Sequence, residues 1–338
     1  MSFKAITCRN SIVIILFTLF ACILPASSNN PAGKLQAPVL EPLEYNRDQL
    51  VKMAVVGYIA EARLNHPPYR VGADGSLRVL PATGSITYNF RTGDSAVNIA
   101  GDHVEPAVTL FNPGSSGSRT SPESRGFNIL SCIGNEVRVL NGGAEGVSGY
   151  VIGKHGGSEH VMVDFKDPEV MMSMSPGDRM QVNAVGAGME LLNAGDVMVM
   201  NTSPRLIEAL GEAGMGITSG GKLRIGVALI VPAKIMGSGL GSNHVYSGDY
   251  DIQLFDEKVN EEYGLDRLRF GDIIAITDAD HSYGRIYKTG AISIGVITHS
   301  GSMIAGHGPG VTTLFTSTSG NIEVFMDPQA NLKYLLFE

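Results

Sequence analysis

Past residue 46 the apolar positions come in short runs rich in Val and Ile, at 53–59, 151–152, 161–165, 196–200, 223–231, 273–277 and 291–298, bounded by Gly, Asp, Asn or Ser. Runs of that length between turn-forming residues predict strands joined by tight turns. Gly177-Asp178, Gly195-Asp196 and Gly271-Asp272 each open such a run. Glycine supplies a positive φ and aspartate binds its own backbone, so the pair turns the chain into a strand and implies no chemistry. One helix is predicted, with Ser203 as N-cap, Pro204 in the first turn, Leu206, Ile207 and Leu210 on one face, and Gly211 at its end.

Residues 112–125, rich in Ser, Gly and Pro, read as a mobile surface loop. The loose stretch 236–249 marks a domain boundary. The expected organisation is therefore a β-rich domain over 46–235 and a C-terminal β unit over 236–338, about 100 residues and an ordinary domain size. Residues 29–45, with Pro31, Pro38 and Pro42, form an extended linker before them.

The first 28 residues differ in kind. Lys4 and Arg9 precede an apolar run from Ile12 to Leu24, and Ala26-Ser27-Ser28 supplies the small residues that a signal peptidase reads. That run is well short of the ~20 residues needed to span a bilayer. The segment thus reads as a cleaved signal peptide, with no transmembrane span after its removal and a secreted or periplasmic mature protein. Leu19-Phe20-Ala21-Cys22 resembles a lipobox, so anchoring through an acylated Cys22 is the alternative. Cys8 and Cys22 lie in this segment, which leaves Cys132 alone in the body and excludes an internal disulfide there. Its apolar surroundings predict a buried thiol.

Composition narrows the function classes. With 43% apolar residues, 17% charged residues, 42 Gly and no Trp, the chain is neither disordered nor built of long helices, and the fold class is mainly β with a few short helices. Lys and Arg number 25 against 33 Asp and Glu, and no basic cluster occurs. That balance excludes nucleic acid and anionic membrane surfaces as partners; a small-molecule ligand and a homo-oligomer are the partners expected. Residues 216–223 nearly match a phosphate-binding loop, but Leu223 replaces the Ser or Thr that would hold magnesium and a strand-like run follows. No dinucleotide fingerprint or Gly-x-Ser-x-Gly elbow occurs.

The histidines carry the remaining chemistry. His103 stands in Gly101-Asp102-His103-Val104-Glu105, and His155 and His160 bracket Gly156-Gly157-Ser158-Glu159. His281 ends Asp278-Ala279-Asp280-His281, where strand alternation puts Asp278 and Asp280 on one side. His299 closes the next run, and His307 sits in Gly306-His307-Gly308-Pro309-Gly310. Imidazole and carboxylate at strand ends suit zinc, manganese or iron. The candidate metal ligands are His103, Asp102, His281, Asp278, His299 and His307. Asp280 or Glu105 would serve as general base on a metal-bound water, and Arg285 as a bidentate clamp for a substrate carboxylate. The competing interpretation is that these Asp-His pairs only cap turns.

Leu80-Pro81-Ala82-Thr83-Gly84-Ser85-Ile86-Thr87-Tyr88-Asn89, Ala100-Gly101-Asp102-His103-Val104-Glu105-Pro106 and Gly306-His307-Gly308-Pro309-Gly310 resemble the family designated domain of unknown function 4438, from about Asn46 to the C-terminus. The resemblance implies a mostly β, multi-domain architecture with a smaller C-terminal barrel-like domain, and it brings no catalytic residues with it. A secretory segment departs from that family's pattern and puts a cytoplasmic substrate in doubt. The expectation is a secreted, metal-assisted hydrolase of a small polar substrate; the alternative is a non-catalytic ligand- or partner-binding β module of the cell envelope.

Overall fold

A computed structural model describes residues 39–64, 69–81 and 83–338. The segment read as a signal, Cys22 and the expected linker up to residue 38 lie outside the described residues. Residues 38–338 form one compact unit. The protein is mainly β, as the short apolar runs predict, and no helix among the described residues is long and apolar enough to cross a membrane.

Six antiparallel strands close on themselves: β1 (Met53–Ile59), β2 (Ala107–Phe111), β3 (Glu136–Val139), β4 (Ser148–His155), β5 (His160–Asp164) and β6 (Arg179–Ala184). Around the barrel the order is β1-β6-β3-β4-β5-β2, and the pairs Tyr58–Phe111 and Ile59–Leu110 join β2 back to β1. In β3 and β6 buried and exposed residues alternate, as they must where one face meets the core and the other water. β4 is buried from Val151 to His155.

The second sheet explains that burial. It is open, in the order β7 (Met198–Val199), β11 (Gly310–Ser317), β10 (Ile286–His299), β9 (Ile273–Asp280), β8 (Leu229–Pro232). It docks on β4, where the Thr312 hydroxyl accepts from the Lys154 N–H at 3.2 Å and donates to the Lys154 carbonyl at 3.0 Å. In β9, Ile273 and Ala275 enter the core shared with the barrel, while Ile274 and Ile276 enter a second core with Leu229, Val231, Leu265 and Phe270. A strand buried on both faces reads as a continuous apolar run, which is why 273–277 shows no alternation. The closed barrel thus lies in the N-terminal part of the chain, and the C-terminal part supplies the long strands of the open sheet.

The predicted helix is present as α2 (Pro204–Glu212), with the Ser203 hydroxyl accepting from the Leu206 N–H and Leu206, Ile207 and Leu210 buried. The Ser/Gly/Pro stretch is a loop only in its first part. Ser121 caps a second helix, α1 (Pro122–Leu130), by the same Ser-Pro device, its hydroxyl accepting from the Ser124 N–H. Phe127 of α1 covers Gly57 of β1 so closely that a Cβ there would stand 2.4 Å from the ring. Cys132 is buried, and burial pushes its thiol pKa up.

Phe127→Ala is expected to destabilise the protein by about 3–5 kcal/mol in chemical denaturation. Ile129→Ala, two positions along on the exposed side of α1, is expected to change stability by less than about 1 kcal/mol.

Candidate metal centre

Where the barrel meets the open sheet, six side chains from both converge. His103 lies in the loop before β2, and His155 is the last residue of β4. His299 is the last residue of β10, and His307 sits in the loop between β10 and β11. Asp249 and Asp251 come from an extended segment that pairs with the start of β11 through reciprocal backbone hydrogen bonds between Tyr250 and Val311, 3.0 Å each. Alternation along that segment turns both carboxylates one way and the Tyr250 ring, packed on His281, the other.

The six form two groups, His103-Asp251-His307 and His155-Asp249-His299, whose ligand atoms lie within 4.8 Å of one another in each. In the first, His307 Nδ1 stands 3.0 Å from both His103 Nε2 and Asp251 Oδ2, and those two are 3.9 Å apart. Donor atoms around a tetrahedral zinc ion are about 3.3 Å apart, so the spacing fits. In the second, His299 Nε2 lies 2.5 Å from Asp249 Oδ2, yet neither atom, both buried, has a partner in hydrogen-bonding geometry. Two buried polar atoms this close with no hydrogen bond between them mark a place for a third body. Asp251 faces both groups, with Oδ2 toward His307 and Oδ1 3.7 Å from His299 Nε2.

An outer layer fixes the rings. Glu105, wholly buried, receives the Gly84 N–H at 2.7 Å and the Thr109 hydroxyl at 2.9 Å, and lies 2.5 Å from His155 Nδ1 and 3.0 Å from His160 Nδ1. Asp102, held by Arg70 at 2.7 Å and the Ser302 hydroxyl at 2.6 Å, lies 3.3 Å from His103 Nδ1. His299 Nδ1 donates to the Ser300 carbonyl at 2.9 Å. His155 and His299 therefore spend Nδ1 on the scaffold, the tautomer control that metal-bound histidines need, while His103 Nδ1 lies beside Asp102 outside hydrogen-bonding geometry. His103 has φ +56°, a left-handed conformation that costs a non-glycine residue about 1–3 kcal/mol and so is held by its surroundings.

Glycines let the segments meet. A Cβ on Gly310 would stand 2.2 Å from both Asp249 Oδ2 and His299 Nε2, and one on Gly308 1.6 Å from the Ile252 carbonyl. With no side chain at Gly310, the space beside the second group's donors stays free.

Charge is concentrated here. Burial by itself would raise the Asp249 and Asp251 pKa values, but His299 beside both holds them below the usual carboxylate range. Burial would lower the His299 pKa, and the two acids instead lift it well above the ordinary imidazole value. Burial opposes ionisation of Glu105 too, and His160 and His155 hold its pKa well down. His103 is shifted down by burial, against its contact with Asp102. A cavity of about 310 Å³ opens onto His103, His155, Asp249, Asp251 and His307, with Glu159, His244 and Arg285 also on its wall.

Among the residues singled out from sequence, His103, His299 and His307 come together. Asp102 and Glu105 stand behind the rings as orienting acids, and Arg285 lines the cavity. The 278–281 cluster lies apart from the two groups. A register shift between Thr277 and Ala279 puts Asp278 at φ +58°, where it accepts from the Gly290 N–H at 2.8 Å, so the alternation assumed for Asp278 and Asp280 is broken. Asp280 is engaged by Ser282, Thr318 and Lys288. His281 places Nδ1 2.8 Å from the Thr313 hydroxyl, and burial, aided by Arg285, lowers its pKa to about 3. Asp249 and Asp251 were passed over, although the alternation in Gly248-Asp249-Tyr250-Asp251-Ile252 was the signal that puts two acids on one face.

Two family models match the chain: domain of unknown function (DUF4438), N-terminal, over residues 69–208, and domain of unknown function (DUF4438), C-terminal, over residues 213–336. The crystal structure of TM1086 is similar, with a TM-score of 0.79 and 43% identity, covering 87% of this chain and 99% of that one. No curated protein matches. His103 and His155 fall within the first matched region and the other four within the second, so both regions are needed to complete the centre.

Replacing Glu105 by Ala leaves His155, His160 and the Gly84 N–H without their buried acceptor. A loss of about 3–5 kcal/mol is expected by chemical denaturation, the cost of breaking a buried charged network from one side.

Proposed function

The chain belongs to the DUF4438 family, and from that premise we propose that it is a hydrolase in which two divalent metal ions, held by His103-Asp251-His307 and His155-Asp249-His299, activate water against a small polar substrate. The observation that carries this reading is the buried pair His299 Nε2 and Asp249 Oδ2, 2.5 Å apart but outside hydrogen-bonding geometry, beside a second His-Asp-His group. Mixed imidazole and carboxylate donors favour zinc, manganese or iron over magnesium or calcium. The carboxylate of Asp251, with one oxygen toward each group, would serve as a ligand to both ions.

Neighbouring metal ions lower the pKa of bound water toward neutrality and stabilise both the attacking and the leaving oxygen. The water oxygen bonds to the electrophilic centre, the bond to the leaving group breaks, and the water proton passes to the leaving atom. Glu159 on the cavity wall suits that transfer, because burial raises its carboxyl pKa and brings it closer to the working pH. The basic start, apolar run and small residues of positions 1–28 support export, with acylation at Cys22 as the variant route. Mass spectrometry of the mature N-terminus tests this: a chain beginning at Asn29 is expected, and one retaining residues 1–28 overturns export.

Elemental analysis of protein purified without chelator or histidine tag is expected to give about two equivalents of metal. Asp251→Ala should lose most of both, Asp249→Ala about half, and His281→Ala none. Glu159→Gln should keep the metal and lose about 10²- to 10⁴-fold in turnover. No metal uptake from any of the three ions overturns the reading; full metal with no turnover in a substrate screen favours the binding module.

A further inference from the structure

Arg285 is the one strong cation on the wall of this cavity, and it is nearly friendless. Its side chain is only 3% exposed. Nε has no hydrogen-bond partner, and the terminal nitrogens make a single long bond, to the Ser247 carbonyl at 3.4 Å. Among the described residues no carboxylate forms an ion pair with it within 4.0 Å. A buried guanidinium has five donors in a rigid fork and a large desolvation cost, and proteins ordinarily satisfy such a group with a carboxylate or phosphate. Here the space in front of it is the cavity, whose remaining wall offers the small residues Gly156, Gly157, Ser238, Gly239 and Ser242.

We propose that Arg285 is the specificity residue of this site and that the ligand carries a small oxyanion, a carboxylate or a phosphate group, which the guanidinium takes in bidentate fashion beside the metal ions. The substrate class rests on the hydrolase reading; the anion site itself does not. With metal bound, charge favours it: two divalent ions and Arg285 outweigh Asp249, Asp251 and Glu159 on the cavity wall, a surplus that an anionic substrate matches. Size favours it as well, since about 310 Å³ is at the low end for ligand sites and admits the anionic group with only a short remainder.

The test is calorimetric titration of the full mature chain with inorganic phosphate and, separately, with acetate, with metal content measured on the same samples. The wild type is expected to bind at least one of the two at millimolar concentration or below. Arg285→Met should weaken binding about 10- to 100-fold, the worth of a charge-assisted pair of hydrogen bonds, with metal content and melting temperature unchanged. Arg285→Lys keeps the charge, loses the fork and should fall between, and it carries the test should Arg285→Met fail to fold. A preference for phosphate assigns a phosphoryl-bearing substrate, and a preference for acetate a carboxylate. Equal affinity in wild type and variants, or binding of neither anion by the wild type, overturns the proposal even where metal is bound. Arg285-dependent binding in protein that takes up no metal would uphold it while removing the hydrolase reading.

Discussion

Burying ionised carboxylates is the constraint on which the rest of this structure depends. Glu105, Asp249 and Asp251 are all removed from water at the junction of the barrel and the open sheet. An isolated buried carboxylate is prohibitively costly, so each must be met by protons, hydrogen bonds or cations. Glu105 is met by donors from four different residues. Asp249 and Asp251 face imidazoles and an open cavity instead, and that incomplete compensation separates a ligand site from a structural network.

The fold follows from serving that junction. The barrel supplies His103 and His155 from one side, and the sheet supplies His299, with Asp249, Asp251 and His307 from segments flanking β11. Neither body holds three ligands of one group by itself. The contact between them is made close by Gly153, where a Cβ would press on Thr298 at 2.6 Å, and by Gly310 within the site. The chain thus spends glycine where two layers must approach and where donors need room, and it spends a left-handed His103 to aim one ring.

Much of the fold was legible in the residues. Val/Ile runs between Gly-Asp turns identified the strands, and Gly177, Gly195 and Gly271 do take the positive φ those turns require. Ser203-Pro204 identified α2. The same signature at Ser121-Pro122 was hidden by the loop-like composition around it, and Phe127 gains its helical role only from a non-local partner, Gly57. In the site, Gly308 beside His307 does mark a close approach, since a Cβ there would stand 1.6 Å from the Ile252 carbonyl. Strand alternation misled at Asp278, because a bulge is set by pairing with another strand and leaves no local trace. Asp249 follows Gly248 just as Asp178, Asp196 and Asp272 follow their glycines. What distinguishes it from Asp178, Asp196 and Asp272 is a second acid two residues on, together with His155 and His299, which distant segments bring to it to complete its group.

The central claim is that six side chains from two layers of the fold form one paired metal centre. Anomalous diffraction from crystals grown with zinc or manganese, collected on both sides of that metal's absorption edge, tests it most directly. Two adjacent peaks are predicted, one among His103, Asp251 and His307 and one among His155, Asp249 and His299, with Asp251 touching both. Saturated crystals with no peak at these six residues, or with ordered metal only elsewhere on the chain, would contradict the account.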